Sequence, residues 1–232
     1  MLAGRRILPG VAYLEMLRAA GTMASGRPVT AIRDLIWLHP LEAGGKAGAT
    51  SVRITLAPGR TVETVDGRVV SPDGRTVHAE GRLSYGTLDS DAPEPIDLTA
   101  IRARCPEELD GSACYEAAAR QARAEATGLV AGPSLRVIRH FRLGDGEALS
   151  ELDLSSGAGD PDPDGMLLEP PLLDGALQTV LGLEQGLLAH GDTMHVPFSL
   201  DVSTVNFAAA WSPNFYSNSG CVAKYAMLRP PE

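Results

Sequence analysis

Cysteine is scarce in this chain. Cys105, Cys114 and Cys221 are odd in number among 232 residues and form no CxxC pair. A disulfide framework and a cysteine zinc site are therefore excluded, and the usage fits a reducing cytoplasm. Long apolar runs are also missing: no stretch approaches the ~20 residues needed to span a bilayer. At the N-terminus Arg5 and Arg6 are followed by Pro9, Glu15 and Arg18, which interrupt any signal-peptide core. The expectation is a soluble, cytoplasmic protein with no membrane partner. Basic runs interleaved with aromatics are absent too, and 20 basic residues against 29 acidic ones leave a net charge of −9. Nucleic acid is thus not an expected partner. The histidines, His39, His78, His140, His190 and His195, show no metal-ligand spacing with one another or with cysteine. No HExxH, GxSxG, GxGxxG or P-loop string occurs. No metal and no nucleotide cofactor is expected, and each histidine reads as a surface or strand-end residue.

What is present is an ordinary globular composition, 44% apolar and 21% charged. Folded as one body, a chain of this length buries roughly 70% of its unfolded surface, enough for a core without staples. Residues 9 to 21 read as a helix: Pro9 or Gly10 opens it, Val11, Leu14, Met16, Leu17 and Ala20 supply a mostly helical period, and Gly21 stops it. Thr30–Leu38, Ser51–Ala57, Thr61–Val65 and Val77–Tyr85 have strand character, separated by Gly and Pro clusters. Thr87–Pro95 is polar, acidic and proline-containing, a linker. A second cycle follows. Leu98–Arg104 and Gly111–Ala124 look helical, Leu135–Leu143 and Ala148–Leu154 extended, and Ser155–Gly165 a loop. Leu172–Ala189 is the second strong helix, before strand patterns at Val196–Phe207 and Cys221–Leu228. The halves are too dissimilar to be a repeat, but both run from a proline-opened apolar helix into strands. The expected organisation is an α+β fold, with one unit over residues 1–86, a linker over 87–97 and a second unit over 98–232.

Asp174 and Gln178 stand at i and i+4 among Leu172, Leu173, Ala176, Leu177, Val180 and Leu181, so both side chains leave one helical face. An acid among leucines is expensive to ionise and its pKa should rise. Still protonated near neutral pH, it could give a proton to a leaving hydroxyl while the amide holds it in place. On the residues alone, the plainer reading is an N-cap or a solvated acid. Gly4–Glu15 alone is a loop turning into a buried helix. Ala131-Gly132-Pro133-Ser134-Leu135 and Val196-Pro197-Phe198-Ser199-Leu200 are turns entering strands.

Taken together these strings resemble the dehydratase domain of modular polyketide synthases. Gly4 and Pro9 match the last two fixed positions of the family's His-x-x-x-Gly-x-x-x-x-Pro signature, followed by the helix from Pro9 to Met16. Ala131–Leu135 meets part of a Tyr-Gly-Pro-x-Phe signature. Asp174 and Gln178 meet Asp-x-x-x-Gln/His, and Val196–Leu200 looks like Leu-Pro-Phe-Ser-Trp. The blocks lie in the family's order and spacing over about residues 4 to 205. The wording of the first block and of Leu172–Gln178 looks most like assembly lines whose acyltransferases act in trans.

The resemblance implies a double hotdog, two helix-wrapped antiparallel sheets side by side. It also implies that a β-hydroxyacyl thioester, riding on the phosphopantetheine arm of an acyl carrier protein, loses water to become an α,β-unsaturated thioester. The family's His takes the α-proton, and Asp174, with Gln178, supplies the proton to the leaving hydroxyl. Gly4, Pro9, Gly132, Pro133, Leu135, Leu173, Pro197 and Phe198 would bound the substrate. The chemistry needs no metal or redox cofactor, and neighbouring synthase domains join the carrier protein as expected partners, with homodimerisation left open. An antibiotic-type biosynthetic setting follows from the same resemblance.

Four departures stand beside it. The base would precede Met1, so the chain as written carries only the acid half. Ala131 and Leu135 replace the Tyr and Phe of the second signature. Glu169-Pro170 stands where many members have His-Pro. Residues Asn206–Glu232 match poorly. They leave two alternatives: a non-dehydrating, architectural or acyl-holding hotdog module, and a related domain that closes a ring or branches the chain by addition to the enoyl thioester.

Overall fold

The first helix owes its position to an apolar stripe. In the computed structural model, which describes residues 5–44, 50–86, 97–124, 130–145, 147–154, 166–179, 199–204 and 221–224, α1 spans Ala12–Ser25. Val11, Leu14 and Leu17 are buried along one side, with Tyr13 beside them. Full burial of a side chain such as Leu17 stabilises the fold by roughly 1.5–3 kcal/mol.

Gly21 does not end this helix. A Cβ there would lie 2.7 Å from Leu83 and 2.8 Å from Val29, so the glycine lets α1 lie close on the sheet. The stop comes at Gly26, whose φ of 67° is left-handed and whose N–H returns to the Thr22 carbonyl.

The sheet beneath α1 is five-stranded and antiparallel. It comprises β1 (Ala31–Trp37), β2 (Arg53–Pro58), β3 (Thr64–Val70), β4 (Val77–Ser84) and β8 (Ser199–Thr204), in the order β2-β3-β4-β1-β8. Thr61–Val65, expected as a strand, is instead a turn running into β3. The Thr64 N–H bonds to the Thr61 carbonyl and its hydroxyl accepts the Thr61 N–H, which closes the chain on itself before pairing begins. In β1 the ladder bulges between Arg33 and Ile36, with Asp34 at φ 51°.

The second sheet has the order β5-β6-β7-β9, with β5 at Glu107–Asp110, β6 at Ile138–Leu143, β7 at Ala148–Leu152 and β9 at Cys221–Lys224. Helix α2 (Leu98–Arg104) is capped by Asp97, whose carboxylate accepts the Ala100 N–H. Helices α3 (Gly111–Ala124) and α4 (Pro170–Gln178) pack on this second sheet. The expected strand over Leu135–Leu143 starts late. Pro133–Leu135 is a 3₁₀ turn, because Pro133 fixes its own φ and has no N–H for a ladder.

Two cores result. The first gathers Leu14, Leu17, Ile32, Leu35, Val69 and Leu83, and the second Val137, Phe141, Leu152 and Ala176. The stretch taken as the second unit, 98–232, also contributes to the first: β8 pairs along β1, and Leu168, 3% exposed, lies in the first core. The linker residues 87–96 and the helix continuation 180–189 lie outside the described residues.

Candidate active site

Helix α4 is seated by residues on opposite sides. Pro170 and Pro171 occupy its first turn, where a missing N–H costs nothing, and the Leu173 N–H returns to the Glu169 carbonyl at 3.1 Å. Leu173 and Leu177 pack against the first core, while Leu172 and Ala176 pack against the second. Gly175 has no room for a side chain, since a Cβ would stand 2.4 Å from Val137. With those faces committed to packing, Asp174 and Gln178 share what is left.

Asp174 is half-buried, and its Oδ2 accepts a hydrogen bond from Gln178 Nε2 at 2.5 Å. The same Nε2 donates to the Leu135 carbonyl at 3.2 Å. Two acceptors on one nitrogen fix the orientation of the amide. Gln178 Oε1 is buried with no hydrogen-bond partner among the described residues, an acceptor left open. Burial pushes the Asp174 carboxyl above its ordinary range, and the Gln178 hydrogen bond offsets part of that rise. Asp174 is therefore neither an N-cap nor a solvated acid.

Leu135 closes the 3₁₀ turn that Gly132-Pro133 opens, its N–H returning to the Gly132 carbonyl at 2.9 Å. That turn presents the carbonyl Gln178 binds. Tyr115 of α3 supports it from the other side. Its hydroxyl donates to the same Leu135 carbonyl at 3.4 Å and accepts the Ile138 N–H at 3.1 Å. Burial raises the Tyr115 hydroxyl to about 12, and the nearby Asp174 charge adds to the rise. Sequence reading missed Tyr115. Its role comes from the tertiary contact of α3 with the turn, and no motif around it announces that.

The first signature is placed by its own contacts. The Leu8 N–H bonds to the Leu41 carbonyl, Ile7 bridges Glu42, and Trp37 Nε1 donates to the Gly10 carbonyl at 2.8 Å. Pro9 sits between them and its carbonyl accepts the Ala12 N–H at 3.0 Å. Leu8 packs against the same first core as Leu173 and Leu177, but no hydrogen bond joins Pro9 to Asp174 among the described residues. The structure thus brings together Asp174, Gln178 and the Gly132–Leu135 turn, with Leu173 turned onto the first core. Gly4, Pro197 and Phe198 lie outside the described residues. His39 and His78 face backbone carbonyls between β1 and β4, and His140 faces Glu108 at 3.5 Å.

Comparison with known families places the chain. Residues 93–219 match the family described as "Polyketide synthase dehydratase N-terminal domain", and residues 1–73 match "Polyketide synthase dehydratase domain". The chain belongs to the polyketide synthase dehydratase family, and its fold is the double hotdog of that family. The match runs to residue 219, further than the motifs alone reach.

Among curated proteins, polyketide synthase ThaG of Burkholderia thailandensis is 37% identical over 90% of the chain. The chain spans 4% of that protein's length. Among solved structures, a trans-AT PKS dehydratase domain from Brevibacillus brevis is 29% identical with a TM-score of 0.68, covering 87% of this chain and 69% of that one. The pyran synthase domain from module nine of the sorangicin pathway is 27% identical with a TM-score of 0.65, covering 85% and 67%. Among the described residues no helix is long and apolar enough to cross a membrane.

Proposed function

We propose that this domain removes water from a β-hydroxyacyl thioester carried on the phosphopantetheine arm of an acyl carrier protein, giving the α,β-unsaturated thioester. The observation that carries the proposal is the Asp174 carboxyl, raised by burial and gripped on Oδ2 by Gln178. Oδ1 has no hydrogen bond among the described residues, so it is the oxygen free to hold the proton.

The family's His, four positions ahead of Gly4, takes the α-proton. As the Cα–H bond breaks and its electrons form the double bond, the C–O bond at the β-carbon breaks and Asp174 protonates the departing hydroxyl. The products are the enoyl thioester and water, and the proton on the His returns to Asp174 through solvent. An acid whose proton is held more tightly by burial suits this step because hydroxide leaves poorly unprotonated. Gln178 orients Asp174 through the Nε2 hydrogen bond to Oδ2. The likeness to the Brevibacillus domain supports an assembly line whose acyltransferase acts in trans.

The test is mass spectrometry of a β-hydroxyacyl carrier protein incubated with the protein that includes the residues preceding Met1 in its parent. Loss of one water, slowed about 10²- to 10⁴-fold by Asp174→Asn, is expected; an unchanged mass with the unsubstituted protein would sink the proposal. The likeness to the pyran synthase domain favours a second reading. Here a substrate hydroxyl adds its oxygen to the β-carbon of the enoyl thioester while a proton reaches the α-carbon. Ring closure leaves the enoyl mass unchanged, and loss of the enoyl ultraviolet absorbance would reveal it.

A further inference from the structure

Glu15 and Arg18 lie one turn apart on α1, and each is only 7% exposed. Neither takes part in the chemistry above. Arg18 forks onto the carboxylate, Nε donating to Oε2 at 2.7 Å and Nη2 to Oε1 at 2.6 Å. The same two oxygens accept backbone N–H groups from a distant segment: Leu168 on Oε2 at 3.0 Å and Leu167 on Oε1 at 3.4 Å. Those amides immediately precede Glu169, which opens α4.

A buried ion pair is a poor way to gain stability, because apolar residues of similar volume often do as well or better. An apolar pair could not accept two backbone N–H groups. At the start of α4 Glu169 makes no side-chain cap hydrogen bond, and Pro170 and Pro171 have no N–H to donate. Leu168, held at 3.0 Å, is itself fixed in the first core.

We infer that the Glu15–Arg18 pair is a positioning clamp: by gripping the Leu167–Leu168 backbone it fixes where α4 begins, and with it the depth and aim of Asp174. Asp174 lies about 6 Å along the axis from Pro170, the first residue of α4, so a shift where the helix begins reaches the acid within little more than one turn. Burial, the largest cause of the raised Asp174 carboxyl, depends on that seating. Among the described residues, Tyr115 of α3 is a titratable side chain that feels the Asp174 charge from across the site. The clamp rests on the reading of Asp174 as the catalytic acid. Arg18 holds the carboxylate in shape, and the carboxylate holds the chain.

The experiment uses two double variants of the full chain. Glu15→Leu with Arg18→Met removes the pair and both acceptors. Glu15→Gln with Arg18→Met keeps one uncharged oxygen for the Leu168 amide. The Asp174 carboxyl is titrated by carbon NMR, the Leu168 amide is followed by hydrogen exchange, and kcat and KM are measured in the protein extended by the residues preceding Met1.

In the apolar pair, Asp174 is expected to titrate lower, toward the ordinary carboxylate range, and kcat to fall about 10- to 100-fold with KM unchanged, as misplacement of a reacting group does. The glutamine pair should recover most of both. Identical Asp174 titration and kcat in the wild type and a folded apolar pair would overturn the clamp. Should the apolar pair not fold, the glutamine pair decides: an unprotected Leu168 amide beside an unshifted Asp174 overturns it, and retention of both supports it. A wild-type protein that dehydrates nothing counts against the proposed function, while the titration still decides the clamp.

Discussion

Burial shifts Asp174 toward its neutral form, and under the proposed function this sets opposite signs for catalysis and stability. Folding raises its carboxyl above the ordinary value of 3.8. The folded state therefore holds this proton more tightly than the unfolded chain does. The resulting stability is complete below the ordinary value and is lost as pH rises through the folded value. Asp174→Asn removes that titration without removing the shape. The variant should be more stable than the parent near neutral pH, with the gap closing as pH falls below the carboxylate range, as read from denaturant unfolding across pH. Its turnover should fall by about 10²- to 10⁴-fold, the usual contribution of a positioned acid. Gln178→Leu should raise the Asp174 carboxyl further, since burial then acts without the opposing hydrogen bond, and a carboxyl titration reads this directly. Asp174 and Gln178 were legible in the sequence because a four-residue spacing is a statement about one helical face. Tyr115 was not, because its hydroxyl matters only where α3 meets the Leu135 turn.

Helix α1 separates two roles that a sequence does not distinguish. Gly21 looked like a stop and proves to be a contact, whereas Gly26 is the stop. Gly21→Ala improves local helix propensity but drives a methyl into Leu83 and Val29. It should destabilise by about 1–3 kcal/mol, the cost of overpacking. Gly26→Ala has open space around its Cβ and meets only the left-handed backbone, for about 1–2 kcal/mol. Chemical denaturation of both, with crystal or NMR evidence of α1 displacement in the first alone, checks the distinction. Strands with alternating or branched residues, such as β1 and β4, were readable from pattern. The strand β5 was missed because Glu107-Glu108-Leu109-Asp110 carries no such pattern, and β6 recruits it by pairing.

At the scale of the molecule, two sheets and two helix-then-strand cycles followed from the order of elements. What order cannot show is that the cycles exchange parts. Leu35, fully buried in β1, faces Leu200 of β8 across the ladder. Leu168, Leu173 and Leu177 also pack into the first core. A fragment of residues 1–97 lacks all of these and leaves an edge of β1 unpaired. It should give no cooperative thermal transition and no dispersed amide spectrum, whereas the full chain melts in one step. A well-folded fragment would show that the first half is self-sufficient.

The pairing of Ala31 with Thr204 also orders events at the ribosome. Domains commonly fold in the order they are synthesised, but here the first sheet cannot be finished when its first four strands emerge. β1 must wait, one edge uncovered, until residue 204 has been made. The nascent chain therefore passes through a stage with an open strand edge and a half-filled core, and a chaperone or a pause in translation acting in that window would govern the yield of folded protein.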